Sequence, residues 1–270
     1  MKLGMYHNQV VAITVEGDTV VGQIVQSAAT VFEVIENGLA HYTLEAAHPL
    51  DMAALQMPIP VPTQVFAVGM NYRDHSQEIH IQLPEVPSIF TKFQTSLAAP
   101  NVTVKRHGDK TDWETELVIV IGRGGRDITK ADALTHVAGY MIGQDLSDRA
   151  VQFANATPQF SMGKSFENYG PMGPWVTTPD EISELGQLQI ETRVNDQVMQ
   201  HATLDQMIFD VPTLISYVSS VTELVAGDVI FTGTPSGVGV GRDPQQFLQP
   251  GDKLVSAIDQ LGSLNITIQD

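Results

Sequence analysis

Asp112-Trp113-Glu114-Thr115-Glu116-Leu117-Val118-Ile119-Val120-Ile121-Gly122 is the stretch whose reading decides the fold. Its run of Leu, Val and Ile, closed by Gly122, predicts a short buried β-strand. Residues two apart on a strand share a face, so Glu114 and Glu116 point the same way at the mouth of an apolar strand. Two carboxylates that close repel each other, and burial strengthens the repulsion. A bound cation removes it, and oxygen-only donors favour a hard ion such as Mg²⁺ or Mn²⁺. A strand end whose glutamates are solvated is the other reading, and this stretch alone leaves both open.

Outward from this strand, Tyr140 to Asp145 predicts a second strand that ends on an acid. If the two strands are neighbours, three carboxylates converge, enough for an octahedral site with exchangeable positions. Taken alone, Asp145 reads as a helix N-cap. Thr129 predicts a capped helix of about ten residues ending at Gly139. Val65 to Val68 is a short apolar strand. Asn195-Asp196 predicts a hairpin between Ile190–Val194 and Val198–His201, and Asp210 caps a helix from Val211 to about Thr222. On the N-terminal side, residues 9–36 alternate like strands around a Glu16-Gly17-Asp18 turn. Asn37-Gly38 predicts a hairpin between Thr30–Ile35 and Leu39–Leu44. Pro58, Pro60 and Pro62 form a stiff linker. The expected organisation is a small β-rich N-terminal domain at 1–60 and a mainly β domain with a few helices at 61–270.

The chain has 270 residues, 43% of them hydrophobic, enough for a sizeable core. Fourteen Lys+Arg against 31 Asp+Glu give a formal charge of −17, which argues against nucleic acid or an anionic membrane surface as partner. A small anionic substrate stays compatible, because a local cation reverses the field. The absence of cysteine rules out disulfides, a thiolate nucleophile and a Cys-based zinc site. No apolar run reaches the ~18 residues of a membrane span. The first residues lack the apolar core of a signal peptide, which makes the cytoplasm the default location.

Three further groups carry chemistry. His75 and Glu78 meet if their segment forms a helical turn, and a carboxylate beside an imidazole suits a general base. An ordinary surface pair has the same spacing. Lys164, in Phe160-Ser-Met-Gly-Lys-Ser, stands where a phosphate-binding loop ends, but Pro158 occupies the place of that loop's first glycine, so the motif fails. A lysine between Gly and Ser can hold an anionic substrate group or be simply solvated. Thr232-Gly-Thr-Pro-Ser-Gly-Val-Gly lacks a dinucleotide fingerprint, yet its backbone N–H groups suit a carboxylate.

These stretches occur in a recognisable order: Gly69-x-Asn-Tyr-x-x-His-x-x-Glu78, Phe90-x-Lys92, Asp112-x-Glu-x-Glu-Leu117, Gly139-Tyr-x-x-x-x-Asp145-x-Ser-x-Arg149-x-x-Gln152, Gly163-Lys-Ser-Phe166, Gly173-Pro174 and Thr232-Gly-Thr-Pro-x-Gly-Val238. The series resembles the fumarylacetoacetate hydrolase family, in its short branch of acylpyruvate hydrolases and oxaloacetate decarboxylases, over roughly residues 62–270. The resemblance implies a mixed β-sandwich roll and a homodimer. It implies a divalent metal, Mg²⁺ or Mn²⁺, on residues matching Glu114, Glu116 and Asp145. It further implies a His75–Glu78 dyad on a lid, an active-site Lys164, and substrate contacts from Tyr72, Arg149, Gln152 and Thr234. Ala150 stands where relatives often carry an acid and Gln144 where many have Asn; neither removes a ligand, so both bear on substrate preference. The expected activity is cleavage of a C–C bond in a small 2-oxo acid, by acylpyruvate-type hydrolysis or oxaloacetate-type decarboxylation, through a metal-stabilised enolate. Isomerisation of a 2-oxo-ene acid, or ligand binding without turnover, are the alternatives.

Overall fold

The computed structural model describes residues 1–17, 19–74 and 83–270. The fold is mainly β, as expected. Its largest sheet has twelve strands, and Thr115–Ile121 lies deep inside it. Antiparallel neighbours flank that strand, Val137–Gln144 on one side and Val229–Phe231 on the other. Val229–Phe231 then pairs in parallel with Val65–Gly69, so the sheet is mixed. Beyond Val137–Gln144 comes Gly170–Thr177, followed by the N-terminal strands Lys2–Tyr6, Gln9–Glu16 and Thr19–Ile24. A second sheet of five strands packs alongside, in the order Gln197–Thr203, Gln189–Val194, Lys253–Ile258, Gly262–Gln269, Asn101–Lys105.

The unbroken apolar run has a direct cause. Leu117, Ile119 and Ile121 face a core with Ile190, Ile258 and Leu264 of the second sheet and with Leu214, Ile215 and Val218 of the helix Val211–Val221. Val118 and Val120 face the opposite core, with Phe231, Val176, Leu3 and Val34. A strand buried on both faces has no polar alternation to show. Glu116 shares the face of Val118 and Val120, one turn of the pleat nearer the strand's start.

Two expected elements differ. Val31–Asn37 is a helix, not half of a hairpin: the Thr30 side chain accepts from Glu33 N, and Gly38 closes the helix with φ of 83°. A glycine after an asparagine ends a helix as readily as it turns a hairpin, and the burial of Val31 and Val34, three apart, is the helical signature. The helix expected before Gly139 is only a short 3₁₀ segment, Ala133–His136, and Gly139 lies within the strand Val137–Gln144. A Cβ on Gly139 would stand 2.5 Å from the carbonyl oxygen of Thr177, so this glycine answers a close approach between strands.

The hairpin at Asn195-Asp196 forms as expected, both residues taking the positive φ that its tight turn requires. So does the helix Val211–Val221, where Asp210 accepts a hydrogen bond from Thr213 N at 2.9 Å. Asp210→Ala is expected to cost about 1 kcal/mol of stability, read as a lower urea midpoint with an unchanged slope.

Candidate active site

Strand register builds the site. Thr115 pairs with Gln144 and Glu116 with Gly143, and Asp145 N donates to Glu114 O at 2.9 Å. The start of one antiparallel strand therefore meets the end of its neighbour. Glu114, Glu116 and Asp145 each bring a carboxylate oxygen within 4.8 Å of the other two. All three are buried; Glu116 is 1% exposed and Asp145 fully enclosed. The solvated reading of the two glutamates is thereby overturned.

Buried acids need partners. Lys164 Nζ donates to Glu114 Oε2 at 2.6 Å, to Asp145 Oδ2 at 2.8 Å and to Ser147 Oγ at 2.8 Å. Arg149 reaches Glu114 Oε1 at 2.6 Å and Asp112 Oδ2 at 2.8 Å, and its third arm donates to Gln152 Oε1 at 2.8 Å. Lys92 Nζ donates to the remaining oxygen of Asp145 at 2.6 Å and to the Lys164 carbonyl. Glu116 accepts from Gly233 N at 2.7 Å. Burial opposes the charge on Lys164, but Asp145 and Glu114 outweigh it and hold the ammonium's pKa above its usual range. On Lys92 burial prevails and the pKa falls, though Asp145 opposes the shift. Glu116 is pushed well above the ordinary glutamate range, first by burial and then by the charges of Asp145 and Glu114.

That last shift bears on the expected metal. Three converging carboxylates offer only hard oxygen donors, and burial together with their mutual repulsion raises Glu116; a divalent cation fits this donor set and would relieve the repulsion.

Of the other expected residues, Arg149, Gln152, Lys164 and Thr234 lie beside this cluster. Glu114, Arg149, Gln152, Lys164 and Thr234 line a single cavity of about 720 Å³, with Phe90, Phe153, Pro158, Phe160 and Val240 as its apolar walls. Thr234 Oγ1 donates to Thr115 O at 2.8 Å and accepts from Gln200 Nε2 at 2.7 Å, so its hydroxyl is held firmly. Lys164 is 2% exposed, which replaces the solvated-lysine reading. Tyr72 sits elsewhere: 1% exposed, it packs in the apolar core with Phe66 and Val68 and is not on the described cavity wall. Burial, with Glu116 and Asp205 nearby, raises its phenol pKa. His75 and Glu78 lie outside the described residues.

Three residues of the site were not singled out from sequence. Lys92 follows the short strand Ser88–Thr91 and by composition reads as a solvated end; only its place in the ordered motif series marks it. Asp112 accepts from Trp113 N, Gly239 N and Val240 N at 2.8, 2.6 and 2.9 Å while pairing with Arg149, tying the glycine-rich loop to the carboxylate cluster. Gln144, noted only as a departure, accepts from Glu114 N and donates to Thr115 Oγ1 and Ser256 Oγ at 3.1 and 3.0 Å. It thereby fixes Glu114 against both sheets.

The profile of the family described as fumarylacetoacetate (FAA) hydrolase, C-terminal, matches residues 64–269. The chain belongs to the fumarylacetoacetate hydrolase family. Oxaloacetate tautomerase FAHD2A, mitochondrial, of Bos taurus is 38% identical over 246 residues, covering 90% of this chain and 77% of the relative. The Homo sapiens protein of the same name is 41% identical over 207 residues, 76% of this chain and 66% of its own length. The crystal structure of 5-carboxymethyl-2-hydroxymuconate delta-isomerase from Mycobacterium smegmatis superposes with a TM-score of 0.80 at 29% identity, covering 100% of this chain and 99% of that one. These fumarylacetoacetate hydrolase relatives correct one expectation. The bovine and human proteins are named as mitochondrial, which overturns the cytoplasmic default; that default rested on the lack of a signal-peptide core and of a membrane-span run, and neither decides a compartment. Among the described residues no helix is long and apolar enough to cross a membrane.

Proposed function

We propose that this chain is a divalent-metal-dependent enzyme that interconverts the enol and keto forms of a small 2-oxo acid of the oxaloacetate type. The observation that carries this reading is the buried cluster of three carboxylates, crossed by Lys164 and Arg149, which reaches through Glu114 the wall of a cavity large enough for such a substrate. The names of the relatives, a tautomerase and an isomerase, support this reaction class. In this reading residues 61–270 carry the chemistry and 1–60 form an accessory unit.

Glu114, Glu116 and Asp145 would hold Mg²⁺ or Mn²⁺, whose Lewis acidity polarises the 2-oxo group and stabilises negative charge on its oxygen. Lys164 and Arg149 orient Glu114 and Asp145 through their ion pairs. The Gln152 carbonyl oxygen is committed to Arg149, which leaves its amide nitrogen to donate to the substrate carboxylate. The apolar walls limit water around the developing charge. A proton leaves the 2-hydroxyl and another is added at C3, so no bond between heavy atoms breaks. His75, oriented by Glu78, is the proposed acid–base group.

Cleavage of a C–C bond is the second reading, favoured by the hydrolase description of the matched family. It shares the enolate and differs only in what happens at C3–C4. The two separate in one assay, in which enol-oxaloacetate is followed by its ultraviolet absorbance while pyruvate is measured in parallel, with acetylpyruvate as a second substrate and Mg²⁺ present or chelated. The expected result is metal-dependent loss of the enol without pyruvate. Pyruvate appearing at the same rate would establish cleavage instead, and no conversion of any 2-oxo acid would leave a binding protein. His75→Ala is expected to slow the proton transfer by about 10²–10⁴-fold.

A further inference from the structure

The cavity wall carries one more cation. Arg242, in the glycine-rich loop, lines the same cavity as Glu114, Arg149 and Lys164. The others are already matched with acids: Arg149 with Asp112 and Glu114, Lys164 with Glu114 and Asp145. Arg242 is different. Its Nε donates to Gly237 O at 3.3 Å, and its Nη2 donates to Met199 O at 2.8 Å and Gly237 O at 3.2 Å. Its guanidinium lies over the Trp113 ring, 5.8 Å from the centroid. Carbonyls and an aromatic face orient a guanidinium without cancelling its charge. Among the described residues Arg242 pairs with no carboxylate, and its Nη1 makes no hydrogen bond; Asp243 shares the rim of the cavity but forms no ion pair with it.

The position of Arg242 is also fixed. Gly239 N and Val240 N are clamped on Asp112, which is paired with Arg149, and Thr234 and Gly233 at the loop's start hold Thr115 O and Glu116. The loop cation and the carboxylate cluster thus share one frame. In a chain of formal charge −17, an oriented guanidinium with an unused donor nitrogen inside a cavity is a receptor for an anion.

We propose that Arg242 binds the second carboxylate of a dicarboxylic 2-oxo acid whose 2-oxo acid end lies at Glu114, Glu116 and Asp145, and so selects dicarboxylic over monocarboxylic substrates. The placement of the 2-oxo acid end rests on the function proposed above. The test is calorimetric binding in Mg²⁺ of two ligands of equal chain length, 2-oxoglutarate and 2-oxopentanoate, which differ only in the terminal carboxylate. The native protein is expected to bind 2-oxoglutarate about 10- to 100-fold more tightly, as for a hydrogen-bonded charge pair. Arg242→Met removes that preference and leaves 2-oxopentanoate binding unchanged. Arg242→Lys, which keeps the charge and loses the planar fork, falls between the two and reports on the role even if the Met variant folds poorly. Equal affinities in the native protein, a preference that survives Arg242→Met, an equal loss for both ligands, or no binding of either would overturn the proposal. If oxaloacetate is not turned over while the binding preference holds, the proposed reaction falls and the role of Arg242 stands.

Discussion

Glu116→Gln is expected to lower Mg²⁺- or Mn²⁺-dependent turnover by about 10³-fold or more, while the metal-free protein stays as stable as the parent or gains slightly. The first effect follows from the donor set. With one of three carboxylates gone, the site loses a charged ligand and with it several kcal/mol of Lewis-acid stabilisation, at about 1.4 kcal/mol per tenfold in rate. The second follows from burial and repulsion. Glu116 is buried beside Asp145 and Glu114, and its carboxyl pKa is pushed well above the ordinary range. A raised folded pKa means that the native metal-free state holds its proton longer than the unfolded chain does. That contribution to stability is complete below the unfolded glutamate pKa and is lost as pH rises through the folded one. An amide cannot ionise and still accepts the Gly233 N–H, so the variant should not show this decline. Metal binding to the parent must displace the same proton, so affinity should climb with pH over that window. Thermal unfolding in EDTA and in Mg²⁺ across pH reads both effects. Full activity after exhaustive chelation, or a Mg²⁺-induced shift in Tm as large in the variant as in the parent, would refute the three-carboxylate site.

Lys164→Met should reduce kcat/KM by the equivalent of roughly 2–4 kcal/mol, the range for a lost electrostatic donor. It should also destabilise the metal-free protein by about 3–5 kcal/mol, the cost of breaking a buried ion pair. The lysine's three donors are engaged by Glu114, Asp145 and Ser147, and methionine fills the space without replacing any of them. Because Glu114 and Asp145 are proposed metal ligands, saturating Mg²⁺ should recover part of the stability and little of the activity. Urea unfolding with and without Mg²⁺, beside steady-state kinetics, separates the two. A variant with parental kinetics would reduce Lys164 to a structural counter-ion.

How much of this was legible beforehand differs residue by residue. The strand from Thr115 to Ile121 could be read directly, because Leu117 to Ile121, buried on both faces, are all apolar and Gly122 ends the run. The hairpin at Asn195-Asp196 and the helix after Asp210 were equally plain, since each is set by the chemistry of one or two adjacent residues. Asn37-Gly38 and Gly139 are ambiguous for the converse reason. A glycine states that a special backbone or a close approach is needed, but not which; Gly38 ends a helix and Gly139 lets the Thr177 carbonyl come near.

By itself, then, the sequence determined the local elements, the absence of thiol chemistry, and the pairing of two acids on one strand face, since these depend only on neighbours along the chain. Whether those acids were solvated or buried, and whether Asp145 joined them, depended on the pairing of Thr115 with Gln144, a contact across 29 residues that no local pattern encodes. Lys92, Asp112 and Gln144 entered the site by the same route, and Tyr72 left the cavity wall for the core. Only tertiary structure could decide these placements, because burying a charge is tolerable only where other chain segments bring it a partner, and those segments meet only when the sheet closes.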